Sequence, residues 1–155
     1  MRSGAFGLFL LALATASGCA QPFLRSDPPV QSGGVSIGLA EQMCDRMIDP
    51  NWAYADILGL DVWIRVVNAS AGDVAFDPKK VRLLADGAAR PPHDADSGKT
   101  ILTGTTAIFK VHFLQRDENL ACNVPMALSV DGAAVTGSTM LSFAPLRFLV
   151  STEDI

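Results

Sequence analysis

The sequence predicts an all-β protein, built as an antiparallel β-sandwich or a small barrel. Apolar and polar residues alternate over two long segments, 60–67 and 107–114, as expected of strands with one buried face. Turn signals, among them Asp86-Gly87 and Asp131-Gly132, separate about seven segments that have strand character. No long amphipathic helices alternate with these segments, which argues against a parallel α/β sheet.

Residues 1–18 predict a secretory signal peptide. Arg2 provides a basic start, residues 5–16 are uncharged and mostly apolar, and Ser17-Gly18 supply small residues before a cleavage site. The apolar run is shorter than the ~20 residues that span a bilayer. We therefore expect an exported protein whose leader is removed.

The segment Ala16-Ser17-Gly18-Cys19 resembles the lipobox of bacterial lipoproteins, with Ala16 where leucine is commoner. The resemblance implies a diacylglyceryl group on the Cys19 thiol and acylation of the new amine. Because Ala20 rather than aspartate follows, it also implies a lipid anchor in the outer membrane of a double-membraned bacterium. We expect the domain on the periplasmic face of that membrane. Residues 19–34 contain three prolines and two glycines, so we expect a flexible lipidated tether without regular elements.

Seven strands are predicted within a single domain over residues 35–150, followed by a tail over 151–155. Pro145 interrupts the last strand, which predicts an edge strand or a bulge. Asn68-Ala69-Ser70 matches a glycosylation acceptor, but we interpret it as a turn. The predicted strands are Val35–Leu39, 60–67, Val74–Phe76, 81–84, 107–114, 126–130 and 140–150.

One segment departs from the strand pattern. Leu39, Met43 and Met47 have helical spacing and Asp49-Pro50 follows them, so we expect a short helix or an irregular crossover near 40–57. With Cys19 committed to lipid, Cys44 and Cys122 are expected to form a disulfide in an oxidising compartment. Two buried free thiols are the alternative.

Composition and motifs exclude several classes of function. The net charge is −4, and it becomes one unit more negative when Arg2 leaves with the leader. An acidic chain argues against nucleic acid as a partner. No Gly-x-Ser-x-Gly turn or cofactor motif is present, so we expect neither an enzyme nor a cofactor.

Four groups of residues are candidates for chemistry, and each also has a structural interpretation. His112 lies beside Lys110 on a polar strand face and is expected to be solvated. The loop with His93, Asp94 and Asp96 resembles part of a calcium loop without its closing acidic ligand, so no metal is predicted. Four methionines could in principle act as soft ligands of copper, but we expect them to fill the core: Met43, Met47, Met126 and Met140.

Trp63 is the fourth candidate. It shares a strand face with Asp61 and Arg65. Either the crossover over residues 52–57, with Trp52 and Tyr54, covers this face, or the face exposes an aromatic side chain to a partner. Trp63 is therefore a possible partner contact.

Residues 59–114 resemble immunoglobulin-like domains of bacterial surface lipoproteins. In such domains a long strand ends in Asn-x-Ser, as at Asn68-Ala69-Ser70, and a Phe-x-Pro step follows, as at Phe76-Asp77-Pro78. Leu102-Thr103-Gly104 then precedes an alternating strand. The resemblance implies an immunoglobulin-like β-sandwich and carries no activity with it.

The function expected from these observations is a non-catalytic, membrane-anchored envelope lipoprotein that binds an envelope protein or assists it. The Trp63 face and the strand interrupted by Pro145 are the expected contacts. Two other functions stay open: a periplasmic copper carrier, and a pilotin-like assembly factor for an envelope complex.

Overall fold

Antiparallel strands make up nearly all of the protein. The computed structural model describes residues 23–40, 57–85, 87–116 and 125–151. One 3₁₀ turn, Pro78–Lys80, stands among the strands of these residues. In chain order the strands are β1 (Phe23–Ser26), β2 (Val30–Ser32), β3 (Val35–Leu39), β4 (Ile57–Asn68), β5 (Val74–Phe76), β6 (Arg82–Ala85), β7 (Ala88–Arg90), β8 (Asp94–Ala95), β9 (Lys99–Ile101), β10 (Thr106–Arg116), β11 (Pro125–Ser129), β12 (Ala134–Thr136), β13 (Thr139–Met140) and β14 (Leu146–Ser151).

The strands form three sheets around one apolar core, which confirms the predicted all-β sandwich. The first sheet has the order β1-β14-β11-β6-β7, and the second has the order β2-β3-β4-β10-β8. A smaller third sheet, β13-β12-β5-β9, contributes Val74 and Phe76 to the same core. Every neighbouring pair is antiparallel.

The core follows from the alternation in the two long strands. Register partners in β4 and β10 include Ile64 with Phe109 and Val62 with Val111, and all four side chains are buried. The first sheet packs against these side chains of β4 and β10 through its own buried residues, Leu83, Leu128, Leu146 and Phe148. Side chains at every second position thus share one dry layer, and burial of this apolar area is the main favourable term in folding.

A buried asparagine closes the turn after β4. Asn68 is fully buried, and its side-chain amide donates to the carbonyl oxygens of Gly72 and Ile101, each at 2.9 Å. Its Oδ1 accepts from the backbone N–H and the hydroxyl of Ser70, at 3.0 and 2.6 Å. All polar atoms of this side chain are therefore bonded. The interpretation of Asn68-Ala69-Ser70 as a turn is confirmed, because the Ser70 N–H closes an Asx turn onto Oδ1 of Asn68.

The expectation that residues 20–34 form no regular element is wrong for residues 23–26 and 30–32. β1 pairs with β14 and β2 pairs with β3, so both strands belong to the sandwich. Gly33 and Gly34 have φ values of +56° and +79° and form a two-residue hairpin turn between Ser32 and Val35. A turn of this kind requires positive φ at both positions, so the two glycines serve a tight turn rather than a flexible linker.

The last predicted strand, 140–150, is two strands. β13 ends at Met140 and β14 begins at Leu146, directly after Pro145. β14 lies between β1 and β11, so the expectation of an edge strand at Pro145 is wrong. Proline is compatible with this position because it precedes the strand, where no backbone N–H is needed to donate a hydrogen bond to a neighbouring strand.

Several predictions fall outside the described residues. These are the signal peptide 1–18, the lipidated Cys19, the Cys44–Cys122 disulfide, the helix or crossover beyond Ala40, and the last four residues of the tail. In the described part of the chain, no helix has the length and apolarity needed to cross a bilayer.

Replacement of Asn68 tests its place in the fold. Asn68→Ala is expected to lower the free energy of unfolding by about 2–4 kcal/mol, because it leaves the buried carbonyl of Ile101 without a donor. Ser70→Ala, which removes only the hydroxyl, should cost about 1 kcal/mol. Chemical denaturation of both variants measures the difference, and equal costs would contradict the role assigned to Asn68.

Candidate functional site

The outer face of β4 and β10 contains a buried carboxylate, Asp61. Its side chain is only 8% exposed, although it lies on the polar face of β4. The register places His112 opposite Asp61. One carboxylate oxygen, Oδ1, lies 2.6 Å from Nδ1 of His112, and the other, Oδ2, lies 2.6 Å from Nζ of Lys110. Both oxygens of Asp61 are thus partnered, which a carboxylate with so little water contact requires.

Lys110 joins the carboxylate to an aromatic ring. Its register partner on β4 is Trp63, and Nζ lies 5.2 Å from the centre of the Trp63 ring. An ammonium group at this distance is attracted to the electron-rich face of an indole. Lys110 therefore lies over the partly buried Trp63 side chain. Trp52, Tyr54 and most of the crossover that was expected to cover Trp63 lie outside the described residues.

Residues 93–96 run along the other side of β10. β8 pairs with β10, with Asp94 opposite His112. The His93 N–H donates to the carbonyl of His112 at 2.8 Å, and the Asp96 N–H donates to the carbonyl of Lys110 at 3.0 Å. The N–H of Lys110 in turn donates to Oδ2 of Asp96 at 2.7 Å. This segment is exposed, as expected of a polar loop, but it is an edge strand that holds the backbone of β10.

The two histidines of the sequence meet at this edge. The ring centres of His93 and His112 are 5.9 Å apart, and the rings are inclined at 68°. A cavity of about 470 Å³ opens between the strands and is lined by Asp61, His93, Asp94, Ala95, Asp96, Lys110 and His112. The expectation that His112 is merely solvated is wrong, since its side chain is 31% exposed and is bonded to Asp61.

The lining determines what this site can do. Asp61 orients the His112 ring through Nδ1, and Nε2 takes no part in that bond. The seven lining residues include no hydroxyl or thiol side chain that could act as an acyl-transfer nucleophile. Within the described residues, no three His, Cys, Asp or Glu side chains are grouped so as to hold a metal ion. The arrangement suits polar recognition by a rigid, charged surface.

The methionines considered as copper ligands do not converge where they are described. Met126 is buried in the core at 3% exposure, and Met140 is 62% exposed at the end of a different sheet. Met43 and Met47 lie outside the described residues. Met126 fills the core as expected, because its neighbours in space are apolar. The same expectation is wrong for Met140, which lies outside the core at the end of β13.

Sequence reasoning did not find the Asp61–Lys110–His112 network. Period-2 alternation places Lys110 and His112 on one face of β10, and it places Asp61 on the polar face of β4. It does not say which residue of one strand lies opposite which residue of the other. One sequence signal could have predicted the network: the polar faces of the two long strands carry complementary charges. To use it, one would have had to assume that these two strands pair in an antiparallel manner.

Comparisons of the chain with models of protein families, with curated proteins and with solved structures found no match. The site must therefore be interpreted from its own geometry.

The hydrogen bond to Asp61 determines the tautomer of His112. An ionised carboxylate only accepts, so neutral His112 is expected to carry its proton on Nδ1. Long-range ¹H–¹⁵N NMR spectra, recorded where both imidazoles are neutral, should show this tautomer for His112. The Asp61→Ala variant should show loss of this preference.

His93 is the internal control, because no hydrogen bond joins its ring to the other described residues. Its ratio of the two tautomers should be the same in both proteins, although its chemical shifts respond to the adjacent His112 ring. A proton on Nε2 of His112 in the unsubstituted chain would contradict the geometry described above.

Proposed function

We propose that the protein is a non-catalytic lipoprotein of the bacterial envelope, anchored in the outer membrane through Cys19, that binds another envelope protein. The observation that carries the proposal is the partner face, which we define as Trp63, Ile108, Lys110, His112 and Leu114. These side chains lie on the outer side of β4 and β10 around the Asp61 network.

The partner face combines apolar side chains with a rigid polar centre. Ile108 is 49% exposed and Leu114 is 43% exposed, and they lie on the same side of one strand. Six residues of an antiparallel strand separate them by about 20 Å, which is the scale of a small protein interface. Between them, the ion pair of Lys110 with Asp61 and the hydrogen bond of His112 hold the polar groups in place. Such a pattern of apolar anchors around fixed charges favours a protein partner.

The short distance between Cys19 and β1 supports action close to the membrane. Only residues 20–22 separate Cys19 from Phe23, the first residue of β1. Even a fully extended chain would span at most about 14 Å from Cys19 to Phe23. A lipid on Cys19 would keep the sandwich beside the bilayer, and this proximity would raise the effective concentration of a membrane-bound partner.

The proposed kinship with immunoglobulin-like domains rests on residues 59–114. Two features support it: the sandwich architecture, and the Asn68 turn at the end of the long strand. Domains of this type bind many different partners, so the kinship agrees with a binding module without naming its partner.

The lipid anchor is tested by Cys19→Ser in a double-membraned bacterium. The variant is expected to lose both the label from a fatty-acid analogue and its place in the outer-membrane fraction, because serine has no thiol for the lipid. The control is the double variant Cys44→Ser, Cys122→Ser, which keeps Cys19 and should stay labelled. Membrane association of the Cys19→Ser chain would contradict the anchor.

The partner face is tested by a photo-crosslinking residue placed at 108 or 114 in intact cells. Both positions are expected to trap the same envelope protein. The matched control is Leu102, a 58% exposed leucine in the turn before β10, which should not trap that protein.

The double variant Ile108→Ser, Leu114→Ser should weaken binding of the trapped protein by tenfold or more, since burial of each side chain contributes about 1.5 kcal/mol or more. Leu102→Ser should leave the binding unchanged. Equal crosslinking from all three positions, or from none, would exclude the partner face.

A further inference from the structure

Three of the four lysines of the sequence line one cavity. Lys79 and Lys80 stand on one side of it, and Lys99 stands on the other. The cavity has a volume of about 510 Å³, and Ser97 and Thr100 add hydroxyl groups to its lining. We call this the lysine cavity; it shares no lining residue with the cavity beside His112.

One wall of the lysine cavity is the 3₁₀ turn Pro78–Lys80. Oδ1 of Asp77 accepts from the Lys79 N–H at 3.1 Å and caps the turn, and the Lys80 N–H donates to the carbonyl of Asp77 at 3.1 Å. Pro78 is buried beneath. Two consecutive lysines therefore project from a backbone that is held at both its first and its last residue.

The second wall is the segment before β9, and Gly98 allows this segment to approach the backbone of Phe76 and Asp77. A Cβ at Gly98 would lie 2.9 Å from the carbonyl oxygen of Phe76 and 3.3 Å from Cα of Asp77. Only glycine permits this approach without displacement of backbone. The register then sets Lys99 opposite Phe76, so that a lysine 20 positions away in sequence faces the same space as the first wall.

The floor between the walls is shallow because its side chains are small. Ala75 lies opposite Thr100 on one side and Val135 on the other, and these residues line the cavity.

The charge of the lysine cavity is opposite to that of the protein. The chain as a whole has a net charge of −4. Among the described residues, none of the three lysines forms an ion pair, and the one carboxylate in the lining, Asp77, is engaged with the turn. The Nζ of Lys99 lies over the ring of Phe109, at 5.1 Å from its centre. Three ammonium groups and one carboxylate leave the lining with a formal charge of 3 − 1 = +2, which makes a local site for negative charge.

We propose that the lysine cavity binds a phosphate group, carried by a lipid headgroup or by a small phosphate ester. A phosphate monoester has a charge of about −1.5 to −2 and three acceptor oxygens near neutral pH. The lining's formal charge of 3 − 1 = +2 matches that of the phosphate, and the ammonium groups and two hydroxyls can donate to its oxygens. The inference is independent of the partner face and of the anchor on Cys19.

The test is a titration of the full-length ¹⁵N-labelled chain in neutral detergent micelles, with two probes. One is glycerol 3-phosphate in solution, and the other is phosphatidic acid added to the micelles. Either probe should shift the amide signals of Ser97, Gly98 and Lys99. Shifts with both probes identify a phosphate ester site, and shifts with phosphatidic acid alone identify a lipid headgroup site. The absence of shifts with both probes overturns the proposal.

Matched variants distinguish binding in the lysine cavity from a general effect of the protein's charge on the Kd. Lys79→Gln with Lys80→Gln should raise the Kd at least about tenfold, because two charge-assisted contacts are lost. Arg65→Gln with Arg147→Gln removes the same charge from two exposed positions outside the cavity and should change the Kd by less than about threefold, because salt screens distant charges. Equal weakening by both double variants overturns the proposal.

Folding is checked in the same spectra. The single variant Lys99→Gln provides a second test, from the opposite wall of the cavity. It should also weaken binding of the phosphate probe. If Lys79→Gln with Lys80→Gln perturbs the fold, an unchanged Kd for a folded Lys99→Gln variant would overturn the proposal.

Discussion

The antiparallel register of β4 and β10 is the constraint on which most of the structure depends. It joins residues from Ile57 to Val67 with residues from Thr106 to Arg116. On the inner face it sets Ile64 against Phe109 in the dry core, and on the outer face it sets Asp61 against His112. A slip of one residue would turn the apolar set to water and the charged set to the core, so burial of one face determines the geometry of the other.

Two polar residues hold that register at its ends and edges. Asn68 bonds the turn after β4 to the carbonyl of Ile101, and the Asn68 carbonyl accepts from Gly104 at 2.7 Å, just before β10. Asp96 bonds the backbone of Lys110 from the neighbouring edge strand. Both side chains bond to backbone atoms of other segments. The positions of the β4 and β10 backbones are therefore held by polar contacts as well as by burial of the apolar face.

The four lysines divide into two kinds of role. Lys110 neutralises a buried carboxylate and lies over Trp63, so its charge is used inside the fold. Lys79, Lys80 and Lys99 form no ion pair among the described residues and share one cavity. Net charge alone, at −4, conceals this division. The partner face and the lysine cavity are thus two separate features of one small sandwich, and we propose a protein as the occupant of the first and an anionic group as the occupant of the second.

The pairing of β1 with β14 changes the expected relation of the domain to a membrane. A tether over residues 19–34 would have placed the sandwich far from a lipid on Cys19. Pairing of residues 23–26 and 30–32 within the sheets leaves only residues 20–22 as a spacer. The prolines and glycines of this segment had indicated flexibility, yet edge strands need only backbone groups, and Gly33-Gly34 suits a tight hairpin.

The sequence by itself determined the fold class, most of the strands and the buried face of each long strand, because period-2 alternation is a local property of the chain. It also indicated the Asn68 turn. Only the tertiary structure decided that β14 is internal, that Asp61 is buried between Lys110 and His112, and that Gly98 brings Lys99 to Lys79 and Lys80. These features depend on register and on contacts between distant segments. Apolar burial across the whole sandwich sets both, and no short stretch of sequence encodes either.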